Sequence, residues 1–90
     1  MHEKALIKDL VRKLEAVARA EGGARVTRVQ VRLGALSHFT PVHFREHFEL
    51  AARGTIAEGA EVETELRSDP TEPDAQGVVL ESVELERSST

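Results

Sequence analysis

Arg28-Val29-Gln30-Val31-Arg32-Leu33-Gly34 decides the fold. Val29, Val31 and Leu33 alternate with Arg28, Gln30 and Arg32, and a period of two puts the apolar side chains on one face of an extended strand and the polar ones on the other. Such a strand is half-buried: one face needs an apolar cover and the other meets water. The segment before it supplies that cover. Between Glu3 and Glu21, Leu6, Leu10, Leu14, Val17 and Ala18 recur at helical spacing, interrupted by Lys8, Arg12, Lys13 and Glu15, which reads as an amphipathic helix. Gly22-Gly23 ends it with residues that tolerate positive φ.

Beyond Gly34, Ser37 to Thr40 reads as a loop leading into Thr40-Pro41, an N-cap threonine followed by a proline suited to the first helical position. The helix that follows is expected to bury Phe44, Phe48 and Ala51 and to stop at Gly54, just after Arg53. Val62, Thr64 and Leu66 alternate with Glu61, Glu63, Glu65 and Arg67 as a second strand, and Val78, Leu80, Val83 and Leu85 mark a third. The apolar parity of the third strand switches between Leu80 and Val83, which a β-bulge near Glu81-Ser82 would reconcile. Ser68 to Gly77 is polar, contains two prolines and has no periodicity, so it reads as a flexible loop that could be shortened without loss of fold. Arg87 to Thr90 has no apolar anchor and is expected to fray.

The order α-β-α-β-β predicts an α+β fold with two helices on one face of a three-stranded mixed sheet. The first two strands are expected to run parallel through a right-handed crossover and the last two antiparallel. Arg28, Arg32, Glu61, Glu63 and Glu65 then occupy the open face, where alternating arginines and glutamates on paired strands meet.

Composition narrows the function classes. Ninety residues suffice for one domain, expected to span 1–90, and none is cysteine, so neither a disulfide framework nor a thiolate zinc site is available. Packing must hold the domain together, with homo-oligomer formation as a further aid. No apolar run approaches the roughly 18 to 20 residues that span a bilayer and no signal-peptide pattern is present, so no membrane association and a cytoplasmic location are expected. Residues 1–56 carry ten Lys/Arg against six Asp/Glu, whereas residues 57–90 carry two against ten. The overall acidic balance argues against nucleic acid as a partner, and three phenylalanines as the sole aromatics provide no stacking platform.

The chemistry that remains lies at the amino terminus. Bulky His2 should protect Met1 from removal, leaving a free α-amine next to the His2 backbone nitrogen and imidazole, donors that can form fused chelate rings around Ni(II) or Cu(II). Glu3 could complete or orient that site. A helix of roughly 19 residues spans ~28 Å, and a returning strand of roughly nine covers nearly the same distance. The loop after Leu33 should therefore come back beside Met1, and it carries His38. His43-Phe44-Arg45-Glu46-His47 has the order of an inverted zinc-peptidase motif. The expected role of His43 and His47 is nevertheless only adventitious metal binding, because a chain this small can hardly build a peptidase cleft. No phosphate loop, nucleophile elbow or paired buried carboxylates stand elsewhere, so no catalytic residue is expected.

With these residues together, the chain resembles the HypA/HybF family of nickel-incorporation proteins that mature nickel-iron hydrogenase. Met1-His2-Glu3 looks like the family's amino-terminal nickel motif. Arg25 to Val29 and Gly34-Ala35-Leu36-Ser37 are similar to its first strand and following loop, Pro41 to Glu49 to its second helix, Gly54 to Ala60 to the entry of its second strand, and Leu80 to Glu86 to its last. The resemblance implies a nickel-binding domain of mixed α/β architecture that hands metal to a nickel-enzyme precursor with the help of a GTPase accessory protein. Where the family inserts a zinc module with two Cys-x-x-Cys pairs, this chain has Ser68 to Gly77, so no structural zinc is expected. Ala35 also stands where the family usually has Glu. The expected function is a non-enzymatic, nickel-binding metallochaperone using Met1, His2, Glu3 and His38. The rival is a protein-interaction module that kept the fold, lost the metal and docks a partner through its acidic sheet or exposed helix.

Overall fold

The computed structural model describes the backbone of residues 2–86 and the side chains of residues 4–86. Its elements are α1 (His2–Ala20), β1 (Val26–Leu33), α2 (Pro41–Ala52), β2 (Glu61–Leu66) and β3 (Val78–Leu85), the order and α+β class expected from the sequence. The sheet order is β2-β1-β3. β1 and β2 are parallel, as expected. β3 does not pair with β2; it crosses to the far side of β1 and runs antiparallel to it. The strand quoted at the outset is therefore central, which explains why Val26, Val29, Val31 and Leu33 are all but fully buried.

Helix α1 ends in a Schellman arrangement, with the Gly23 amide donating to the Ala18 carbonyl (2.7 Å) and Gly22 to Arg19 (3.2 Å). Both glycines have positive φ, which the cap requires of Gly22. The buried stripe of α1 is Ile7, Leu10, Val11, Leu14 and Ala18. Leu6 and Val17, expected in that stripe, are 37% and 39% exposed instead. At about 100° per residue they lie at the margin of the face whose centre Leu14 and Ala18 define.

Thr40 caps α2, its hydroxyl accepting from the His43 amide (3.2 Å), with Pro41 in the first turn. Phe44 and Phe48 are buried as expected, but the third buried position is Ala52 and Ala51 is only partly covered. Phe39 joins the core from the preceding loop, its ring edge-on to Phe44 at 5.4 Å, and Phe44 stacks on Phe48 at 6.2 Å.

The bulge stands where the parity switch put it: Gln30 faces Ser82 and Val31 faces Leu80, leaving Glu81 as the extra residue. Leu66 departs from expectation, since it is 59% exposed although its partner Leu33 is fully buried. It is the last residue of an edge strand, where the cover of the helices has run out.

The connection 68–77 differs most from the expected flexible loop. The Ala75 carbonyl accepts from the Leu36 amide (2.7 Å) and the Gly77 carbonyl from the Gly34 amide (3.0 Å). Ala75 is buried, and Arg67 grips Glu72 through two hydrogen bonds of 3.1 and 2.8 Å. A segment without periodicity has thus been tied down by backbone bonds that leave no trace in a hydrophobic pattern. The expected fraying of Arg87 to Thr90 lies outside the described residues.

Candidate metal centre

Met1 and the side chains of His2 and Glu3 lie outside the described residues, but α1 is helical from His2 onward. His38 has φ 65, the one described non-glycine residue in the left-handed region. Its neighbours Ser37 and Phe39 are 6% and 5% exposed, whereas His38 itself is exposed. The Phe39 amide donates to Ser37 Oγ (3.4 Å), closing the turn beneath the imidazole. Inward-facing residues on either side turn this side chain outward, and histidine is among the residues that tolerate αL.

Topology decides where that imidazole stands relative to α1. A tight glycine turn joins α1 to β1, so the two run in opposite directions. Helix α2 connects two parallel neighbours and therefore also runs against β1. The helices are thus co-directional, and the start of α1, the loop 34–40 and the first turns of α2 share one end of the molecule. Lys4, Ile7 and Lys8 of α1 and His47, Leu50 and Ala51 of α2 line a groove of about 250 Å³ between the helices. Among the described residues no group of three or more His, Asp or Glu side chains is placed to hold a metal.

The open face is the alternative site. In parallel register Arg28 stands opposite Glu61, Gln30 opposite Glu63 and Arg32 opposite Glu65. Arg28 pairs with Glu63, with Glu84 (3.5 Å) and with Glu61 (4.0 Å), Arg32 with Glu81 (3.5 Å), and Arg67 with Glu65 (2.7 Å) and Glu72 (2.8 Å). Gln30 Nε2 also donates to Glu63 (2.7 Å), and Gln30 Oε1 accepts from Ser82 Oγ (2.5 Å). Hydrogen bonds from Gln30 and Arg28 hold the Glu63 carboxyl below the usual glutamate range, and Arg67 does the same for Glu65 and Glu72. Each of these carboxylates has a partner within the molecule, but three arginines serve six glutamates, so the face is ion-paired and still net acidic.

The sequence model of the family described as "Hydrogenase/urease nickel incorporation, metallochaperone, hypA" matches residues 1–71. The chain belongs to this family. It is 42% identical over 65 residues to the hydrogenase maturation factor HypA of Chlorobium limicola, covering 72% of this chain and 56% of that protein. Its identity with the HypA of Methylocella silvestris is 41% over 66 residues (73% and 58%), and with that of Acidithiobacillus ferrooxidans 38% over 63 residues (70% and 56%). The chain thus matches little more than half the length of these relatives.

Proposed function

We propose that this chain is a nickel-binding, metallochaperone-like domain serving the maturation of nickel enzymes such as nickel-iron hydrogenase. The Met1 amine, the His2 backbone nitrogen and imidazole, and Glu3 are its principal donors, and His38 adds a further imidazole. Family membership supports the class of function. The observation that carries the site is the outward-turned, left-handed His38 at the end of the fold where α1 begins. Nickel is the cargo here, delivered to a nickel-enzyme precursor in the cytoplasm with a GTPase accessory protein as partner. The domain occupies residues 1–90, with 68–77 in place of a zinc module. That connection offers Asp69, Glu72 and Asp74 but no thiolate, so its residues do not fit a cysteine-held zinc.

Titration of protein with an untagged Met1 terminus tests this reading. One equivalent of Ni(II) should bind near neutral pH, and binding should weaken as pH falls through the imidazole range near ~6.5, because protons compete for the ligating nitrogens. His2→Ala, or one residue added before Met1, should abolish the tight site, and His38→Ala should weaken it. Native-like binding by the extended protein would leave the interaction module as the better account.

A further inference from the structure

We propose that the outer edge of β3 is a docking site for an extended segment of another protein, one that alternates apolar residues with Lys or Arg and joins the sheet as a fourth strand. The site needs neither a metal nor the amino-terminal donors. It follows first from the strand order. Because β1 is central, β3 has one side against β1, and its other side pairs with no strand among the described residues. An edge of eight residues with unpaired amides and carbonyls is a template for further pairing.

The helix-facing side of that edge is apolar and incompletely covered. Helix α1 packs over β3 and α2 over β2. Lys4 and Lys8 mark the flank of α1 that faces α2, since they line the groove between the helices. At about 100° per residue, Leu6 and Val17 stand on the opposite flank, out beyond β3, and both are exposed. Beneath them Val78, Leu80, Val83 and Leu85 of β3 are only partly buried, although the β1 residues opposite them are closed off almost completely. The apolar side chains of an added strand would complete this layer.

On the open side of the sheet the same edge is acidic. Arg32 pairs with Glu81 and Arg28 with Glu84, each at 3.5 Å, and Arg28 is shared with Glu61 and Glu63. The Glu81 and Glu84 side chains remain 38% and 61% exposed, so each carboxylate has room for a second cation. These charges select the occupant. A second copy pairing through its own β3 would supply the apolar layer but would set two more glutamates beside Glu81 and Glu84, and like charges on adjacent strands repel. The strand that fits is of the kind β3 already has on its inner side, where β1 turns Val29, Val31 and Leu33 to the helices and Arg28 and Arg32 to the glutamates. The partner is a β1-like segment, with apolar residues under Leu6 and Val17 and cations beside Glu81 and Glu84.

A capped synthetic peptide with the sequence of residues 26–33, Val-Thr-Arg-Val-Gln-Val-Arg-Leu, serves as the probe, labelled and titrated with the full chain by fluorescence anisotropy. It should bind saturably and more weakly at high salt, and the same peptide with both arginines replaced by glutamate should not bind. Glu81→Gln combined with Glu84→Gln should weaken binding roughly threefold to tenfold, the order expected for two cross-strand ion pairs. Leu6→Gln combined with Val17→Gln should weaken it through the opposite face, with thermal melts verifying that each variant is folded. In amide hydrogen exchange the peptide should slow β3 and leave β2 unchanged.

Absence of binding, equal binding of the arginine and glutamate peptides, or protection of β2 in place of β3 would each overturn the proposal. So would sedimentation showing that the chain dimerises by itself with β3 protected, because a second copy would then be the occupant.

Discussion

Gly34 shows how one residue can be settled by a neighbour distant in the chain. Its φ is not in the left-handed region, so no turn geometry demands glycine here. A β-carbon at this position would run into the backbone carbonyls of Asp74 and Ala75. Because the obstruction is backbone, it cannot rotate away. Gly34→Ala should cost about 1–3 kcal/mol, the usual penalty of overpacking, read as a lower urea midpoint at unchanged m-value. His38 is the complementary case at this scale. Its left-handed backbone came from the burial of Ser37 and Phe39 on either side, and only the position of the imidazole, not its conformation, could be expected from the loop in which it stands.

Among the elements, the connection 68–77 teaches most. It reads as expendable in sequence, yet it carries the carbonyls that satisfy the Gly34 and Leu36 amides and so holds the loop that presents His38. Replacing residues 69–76 by a shorter glycine-serine linker should therefore lower the melting temperature. It should also raise hydrogen exchange at the Leu36 amide well before it affects the Val29 and Val31 amides of the central strand. Equal exchange at Leu36 before and after the replacement would show that the connection does not support this loop. The helices were more transparent. The Thr40-Pro41 start and the Gly22-Gly23 stop rest on local backbone chemistry, and both stand where the residues put them. The bulge at Glu81 was equally legible, because a switch of apolar parity has few other causes.

For the whole molecule, the ion pairs of the open face predict a pH dependence. The carboxyls of Glu63, Glu65 and Glu72 are lowered from the ordinary 4.5 by hydrogen bonds from Gln30, Arg28 and Arg67, and Asp69 is lowered from 3.8 by Thr71. A carboxyl whose folded value is depressed adds stability that is fully present above its unfolded value and lost as pH falls through the folded one. The melting temperature should consequently show no loss from these groups above about pH 5 and decline progressively below the unfolded carboxyl range near ~4. Glu63→Gln should flatten that acid limb. An unchanged slope in the variant would mean that the ladder around Arg28 is solvated without contributing to stability, as exposed pairs often are.

The sequence by itself determined the element types and order, the caps, the bulge and the two-faced sheet. All of these depend on neighbours within a few residues or on simple periodicity. Tertiary structure decided what periodicity cannot encode: that β3 joins β1 and not β2, that α1 centres its buried face on Leu14 and Ala18, leaving Leu6 and Val17 at its margin, and that Ala75 docks beneath Gly34. It also set the helices running in the same direction, so that the groove between them is lined by Lys4, Ile7 and Lys8 on one side and His47, Leu50 and Ala51 on the other. A hydrophobic pattern specifies which face of an element is covered; which partner covers it depends on strand order and crossover direction, and these are selected by the packing of the whole core.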